Sequence, residues 1–187
     1  MKITKQNVIK YLRLVVLIIY KLNFNKLATF RFTMKEIERK FLVKDNRFKE
    51  EAHHSYEIKQ AYLQKDPAKS VRIRISGNKA WLTIKGISDK QGLVRNEWEY
   101  AIPVNDADEL IGLCENAIEK TRYEVKYQNQ IFEVDVFHAQ NDGLIVAEIE
   151  LQKESDLVEK PDWLGEEITG KTKYYNLALL DLPYGKW

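Results

Sequence analysis

The sequence predicts a mainly β protein of the α+β class, made of antiparallel strands with a few short helices. Three observations carry this. Segments that alternate apolar and polar residues recur along the chain, with turn signals between them. Ten Tyr and four Trp, with many Val and Ile, suit a pleated sheet better than a helical bundle. Helical spacing is confined to two stretches. Such an arrangement closes as a barrel or packs as a sandwich.

The first 33 residues stand apart. They carry seven Lys or Arg and no acid, which leaves the rest of the chain net acidic. The apolar run from Leu14 to Tyr20, closed by Arg13 and Lys21, is far short of the roughly 20 residues a bilayer needs. No small-residue cleavage site follows it. The run fits a basic membrane-surface helix, but stable membrane insertion is not expected. We read residues 1–33 as an upstream extension and residues 34–187 as the functional domain, starting at Met34.

Strands are expected over residues 35–43, 56–63, 70–76, 79–85, 94–102, 120–127, 130–137 and 144–151. Gly77-Asn78 reads as a tight hairpin turn, and Asn129 and Asn141-Asp142-Gly143 as further turns. Residues 106–118 have helical spacing with Asn105 or Asp106 as a cap, and residues 172–180 read as a short helix.

Strand faces are more telling than strand positions, because residues two apart share a face. Glu36, Glu38 and Lys40 share one. So do Arg72 and Arg74, opposite Val71, Ile73 and Ile75. Lys85 lies with Trp81 and Thr83; Arg95, Glu97 and Glu99 lie together; so do Lys120 with Arg122, Glu133 with Asp135, and Glu148 with Glu150. A solvated sheet face usually mixes Thr, Ser, Gln and Lys. Here the faces carry doublets of one sign, and like charges two apart repel unless an opposite charge sits between them. Acidic doublets call for a cation and basic doublets for an anion. A barrel interior lined by both suits a metal–polyphosphate complex.

Composition sets limits on other functions. The charged fraction of 31% and mean hydropathy of −0.46 describe a water-soluble globular chain. Net acidity beyond residue 33 argues against nucleic acid as a partner. Cys114 is the only cysteine, which excludes an intrachain disulfide and fits a cytoplasmic location. Its neighbours Leu110, Ile111 and Leu113 mark it as a packing residue. His53, His54 and His138 form no ligand constellation. Trp81, Trp98 and Trp163 are core candidates before they are stacking platforms for a base or thiazole ring. Glu166-Glu167 reads either as the end of a tunnel or as a solvated loop. Lys85-Gly86 lacks the remaining residues of a P-loop.

The charged segments resemble, in order, the CYTH family of triphosphate tunnel metalloenzymes. Glu36-Ile37-Glu38-Arg39-Lys40 is similar to the opening strand of that family, and Gln60-Ala61-Tyr62-Leu63 to its second. Val71-Arg72-Ile73-Arg74, Leu82-Thr83-Ile84-Lys85-Gly86, Arg95-Asn96-Glu97-Trp98-Glu99-Tyr100 and Lys120-Thr121-Arg122-Tyr123 follow. Glu133-Val134-Asp135-Val136-Phe137 and Ala147-Glu148-Ile149-Glu150-Leu151 complete the set. The resemblance covers residue 34 to the end, and is strongest to the short bacterial inorganic triphosphatases.

This resemblance implies an eight-stranded antiparallel β-barrel forming a polar tunnel, with short helices packed outside. It implies hydrolysis of tripolyphosphate to pyrophosphate and phosphate by metal-activated water, with Mg²⁺ or Mn²⁺. Thiamine triphosphatase, nucleoside triphosphatase, class IV adenylate cyclase and a non-catalytic polyphosphate or nucleotide binder are the alternatives. The implied metal ligands are Glu36, Glu38, Glu148 and Glu150, with Glu97, Glu99 and Asp135 for a second metal or its waters. Lys40, Arg72, Arg74, Lys85, Lys120 and Arg122 would bind phosphate oxygens. Glu38, Lys40 and Glu150 would carry the catalysis. Arg95 is a weaker phosphate-binding candidate, with neutralisation of the acids beside it as the alternative. Tyr62 reads equally as a hydrogen-bonding or a packing residue. A homodimer is one way to cover the aliphatic outer faces of such a barrel, and short helices are another.

Overall fold

The computed structural model describes residues 32–66, 69–87 and 94–187, with the side chains of 32–36, 94 and 95 left out of the description. The expectations for residues 1–31, and for the side chains of Glu36 and Arg95, lie outside it. Residues 33–187 form one compact unit.

The elements are β1 (Phe32–Val43), α1 (Phe48–Glu51), β2 (Ala52–Asp66), β3 (Lys69–Ser76), β4 (Lys79–Gly86) and β5 (Val94–Ile102). After these come α2 (Val104–Gly112), β6 (Ala117–Tyr127), β7 (Gln130–Phe137), β8 (Ile145–Glu150), β9 (Leu164–Glu167) and α3 (Asn176–Asp181). One sheet contains all nine strands, in the order β5-β4-β3-β2-β6-β7-β8-β1-β9, and β5 also pairs with β1. The ladders with a defined register are antiparallel. The class is the one the sequence predicts.

The expected cylinder of eight strands is modified. Phe41 pairs with Ala147 of β8 on one edge and with Glu167 of β9 on the other. Strand β9 thus takes the C-terminal part of the β1 edge that faces away from β8, and the sheet is not closed along its full length. Four residues are too few to show a period, so β9 leaves no strand signature in the sequence.

Other boundaries moved as well: β2 runs over Ala52–Asp66 rather than 56–63, and both helical stretches changed. The expected helix over 106–118 ends at Gly112, and Ala117 and Ile118 instead pair with Ala61 and Gln60 of β2. It starts at Val104, behind Pro103, without the expected side-chain cap. The tail splits into a 3₁₀ turn over Thr172–Tyr174 and helix α3, separated by an extended Tyr175. The Gly77-Asn78 hairpin is present, and Gly77 takes a φ of +58° that suits a residue without Cβ.

Three apolar clusters surround the charged face. On the outer side of β1, β6, β7 and β8, Phe41, Val125, Phe132, Val134 and Ile149 pack beneath Phe48 of α1 and Trp163. The Trp163 ring meets Phe132 at 5.5 Å and Phe48 at 6.1 Å in edge-on geometry, contacts worth about 0.5–1.5 kcal/mol each. Helix α2 lays Ala107 and Ile111 over Ala61, Ile73 and Ala80 on the outer side of β2 to β4. The helices therefore supply part of the cover that a partner copy would otherwise provide. The third cluster lies on the inner face: Tyr62, Ile118, Phe137 and Val146, all toward one end, meet Ile168 and Leu179 and Leu180 of α3. Helix α3 plugs that end of the curled sheet.

Candidate active site

The registers place the charged doublets side by side on the inner face. Directly opposed residues in an antiparallel pair share a face. Glu38 lies opposite Glu150, and Lys40 opposite Glu148. Glu148 lies opposite Glu133 in turn. Arg122 faces Asp135 and Tyr56; Arg74 faces Gln60 and Trp81; Thr83 faces Glu99, and Lys85 faces Glu97. A run of strands thus delivers one band of charge, flanked at one end by the apolar plug.

Most of this band is withdrawn from solvent. Lys40, Arg72, Lys85, Lys120, Arg122 and Asp135 are buried, and Lys120 and Asp135 are only 2% and 1% exposed. Buried charges need partners, and the partners form two networks. The first spans β1, β8, β7 and β6. Lys40 Nζ pairs with Glu148 and lies 3.1 Å from Glu38. Arg122 donates to both oxygens of Asp135 at 2.7 Å and to Glu148 at 3.0 Å, and pairs with Glu133. Lys120 also pairs with Asp135. The second spans β3, β4 and β5. Arg74 donates to Glu99 at 3.1 Å, and Thr83 donates to the same carboxylate at 3.0 Å. Arg72 reaches Thr83 at 3.2 Å, and Lys85 lies 2.7 Å from Glu97. Arg74 also sits over the Trp81 ring, 5.1 Å from its centroid.

The electrostatics follow from this packing. Burial pushes the Lys120 ammonium down to about 8, with Asp135 restoring only part of the loss. Burial works against Glu148 too, but Lys40, Arg122 and Lys120 outweigh it and hold the carboxyl well below the ordinary range. Burial raises Glu133, and Arg122 opposes that rise. Burial together with the nearby Arg72 lowers Arg74. The Tyr56 hydroxyl is pushed up to about 12, chiefly by burial and by Glu133.

The structure brings Glu38, Lys40, Glu148, Asp135, Lys120 and Arg122 into one network, and Arg72, Arg74, Lys85, Glu97 and Glu99 into the other. Glu150 lies opposite Glu38, at the more exposed end of the band. Asp135, a candidate metal ligand, is engaged by two cations. Among the described residues no three His, Cys, Asp or Glu cluster tightly enough to hold a metal ion by themselves. The donor chemistry still suits a hard divalent cation. Glu38 and Glu150 are opposed carboxylates that repel unless a cation stands between them, and a carboxylate pair leaves coordination positions for phosphate and water.

Thr83, Glu133 and Gln60 also belong to the inner face. The period-two rule already put Thr83 beside Lys85 and Glu133 beside Asp135, though neither was given a binding role; Gln60 was given neither face nor role, and the same rule puts it beside Tyr62. Tyr62 proves to be buried in the apolar plug. Glu167 pairs with Arg39 on the outer face, rather than lying loose in a loop or ending a tunnel. His53 and His54 are exposed, and His138 contacts Thr121 at 2.7 Å outside the charged band. Trp163 is a core residue, and its Nε1 donates to Glu51 at 2.9 Å.

Comparison with known proteins adds a consistent picture. The CYTH domain pattern matches residues 34–179. An inorganic triphosphatase of Acetivibrio thermocellus is 44% identical over 152 residues, covering 80% of this chain and 96% of the relative. An inorganic triphosphatase of Nitrosomonas europaea is 36% identical over 157 residues, covering 80% of this chain and all of the relative. The crystal structure of the inorganic triphosphatase NE1496 superposes with a TM-score of 0.58 at 33% identity, covering 79% of this chain and 95% of that one.

Proposed function

The chain belongs to the CYTH domain family, and from that premise we infer that it hydrolyses inorganic triphosphate to pyrophosphate and phosphate. The observation that carries this reading is the buried inner face, where six cationic side chains and the carboxylates that balance them share one surface. Such a surface recognises a small ligand that is a dense polyanion bearing divalent cations.

Glu38 and Glu150, with Glu148 beside them, would hold a divalent cation, for which Mg²⁺ and Mn²⁺ are the fitting candidates. Glu36, Glu97 and Glu99 remain candidates for further coordination. When bound, the cation supplies charge neutralisation at phosphate oxygens and a more acidic water for attack on phosphorus. Arg72, Arg74 and Lys85 would hold one part of the triphosphate, and Lys40, Lys120 and Arg122 another. Phosphoryl transfer asks for positioning and for neutralisation of charge that shifts to the leaving group, and these cations do both. The buried location strengthens each contact by excluding water. Cys114 packs with the α2 core, its Sγ 3.5 Å from Leu110 O, so the one thiol takes no part. A cytoplasmic site of action agrees with that single reduced cysteine. Among the described residues no helix is long and apolar enough to cross a membrane.

The test is phosphate release from tripolyphosphate, ATP and thiamine triphosphate, each with Mg²⁺, Mn²⁺ or EDTA. Fast, metal-dependent turnover of tripolyphosphate with slow turnover of ATP is expected. Conversion of ATP to pyrophosphate and a cyclic nucleotide would overturn the reading in favour of a cyclase.

A further inference from the structure

Strand β2 is the exception on the inner face. The strands around it carry charge there, whereas β2 presents Tyr56, Ile58, Gln60 and Tyr62. It also occupies the centre of the basic sector, between β3 with Arg72 and Arg74 and β6 with Lys120 and Arg122. Gln60 is the residue at that centre. It lies opposite Arg74 on one side and Ile118 on the other, one inner-face position from the level of Arg72 and of Lys120.

Gln60 is 1% exposed, yet its amide nitrogen Nε2 has no hydrogen-bond partner. The Nε atoms of Arg72 and Arg74 are buried and without hydrogen-bond partners as well. All three atoms are donors. Buried donors are almost always satisfied in native proteins, so three together, on two adjacent strands, mark a place built for an acceptor that comes from outside the chain. Oxygen atoms of a bound anion meet that need. A fifth positive charge here would have added repulsion to a sector that already holds Arg72, Arg74, Lys120 and Arg122. A neutral amide supplies a donor without it.

We propose that Gln60 is a substrate-binding residue whose amide donates to a phosphate oxygen of the triphosphate, between the Arg72–Arg74 pair and Lys120. The proposal deepens the triphosphatase reading and rests on it. It also implies that the empty protein tolerates an unpaired donor for the sake of binding, so removal of the amide should stabilise the ligand-free state while weakening the complex.

The experiment compares the full chain with Gln60→Leu and Gln60→Glu. Tripolyphosphate turnover is followed with metal, tripolyphosphate binding is followed by calorimetry in EDTA, and thermal melting is followed with and without tripolyphosphate. Loss of a hydrogen bond to a charged oxygen corresponds to about a tenfold to hundredfold weaker interaction. Gln60→Leu should raise KM and the calorimetric Kd by about tenfold or more. Its ligand-free melting temperature should be equal or higher, and the gain on adding tripolyphosphate smaller. Gln60→Glu, with the same shape and an added negative charge, should bind more weakly still. Unchanged KM and Kd in Gln60→Leu would overturn the proposal while the wild-type protein upheld the triphosphatase reading. A lower ligand-free melting temperature with KM and Kd unchanged would assign Gln60 a packing role and also overturn it. A wild-type protein that neither binds nor turns over tripolyphosphate would overturn both.

Discussion

Asp135 and Arg122 meet side by side, the guanidinium Nε and Nη2 each 2.7 Å from a different carboxylate oxygen, with the Lys120 ammonium on the same acid. One buried carboxylate thus answers two buried cations. Asp135→Asn keeps the shape and removes the charge that both need. We expect a stability loss of about 3–5 kcal/mol, the usual result of orphaning a buried ion. Urea unfolding measures it. A loss below about 1 kcal/mol would show that the cations find other partners.

Glu38 and Glu150 are opposed in register but sit at the more exposed end of the band. Glu38→Gln and Glu150→Gln should therefore cost little stability and much activity. A fall in kcat of about a hundredfold or more is expected from loss of a group that acts on transition-state charge. The folded protein should be intact by circular dichroism, and higher metal concentration should restore part of the rate. Full activity in both variants would remove the pair from the site.

The outer-face pair of Arg39 and Glu167 gives a pH test away from the catalytic charges. The hydrogen bond from Arg39 leads in holding the Glu167 carboxyl below its ordinary range. A carboxylate with a lowered folded pKa adds stability above its unfolded pKa of about 4.3 and loses it as pH falls through the folded value. Wild type should exceed Glu167→Gln at pH 7 by up to about 1 kcal/mol, since the pair is partly solvated. The gap should close as pH falls below about 4. A gap that stays constant from pH 7 to pH 2 would assign the effect to packing.

Gly165 of β9 has no room for a side chain. A Cβ there would lie 2.7 Å from the Leu42 carbonyl oxygen and 3.1 Å from its carbon. Both are backbone atoms in a strand and cannot swing aside. Gly165→Ala should push β9 off β1 at a cost of about 1–3 kcal/mol, seen as a lower melting temperature. An unchanged melting temperature would mean that β9 is only loosely held.

Much of this was legible in the sequence, for identifiable reasons. The strands over 94–102 and 130–137 were placed to the residue because alternation and turn chemistry agree at both ends. The charged inner face was legible because same-sign doublets have no good use on a solvated sheet. What was not legible depends on contacts between distant segments. Ala117 and Ile118 continue a helical spacing, but pairing with β2 offers hydrogen bonds that one more helical turn would not. Strand β9 exists only because β1 leaves an edge for it. The unpaired amide of Gln60 could not be read either, since a residue's hydrogen-bond partners are set by the fold and not by its neighbours in sequence.

The apolar plug under α3 offers no cation at its end of the charged band. A phosphate pushed in among Tyr62, Ile168 and Leu179 would lose its water and gain no charged partner, so the plug penalises seating a polyanion beyond the last cations of the band.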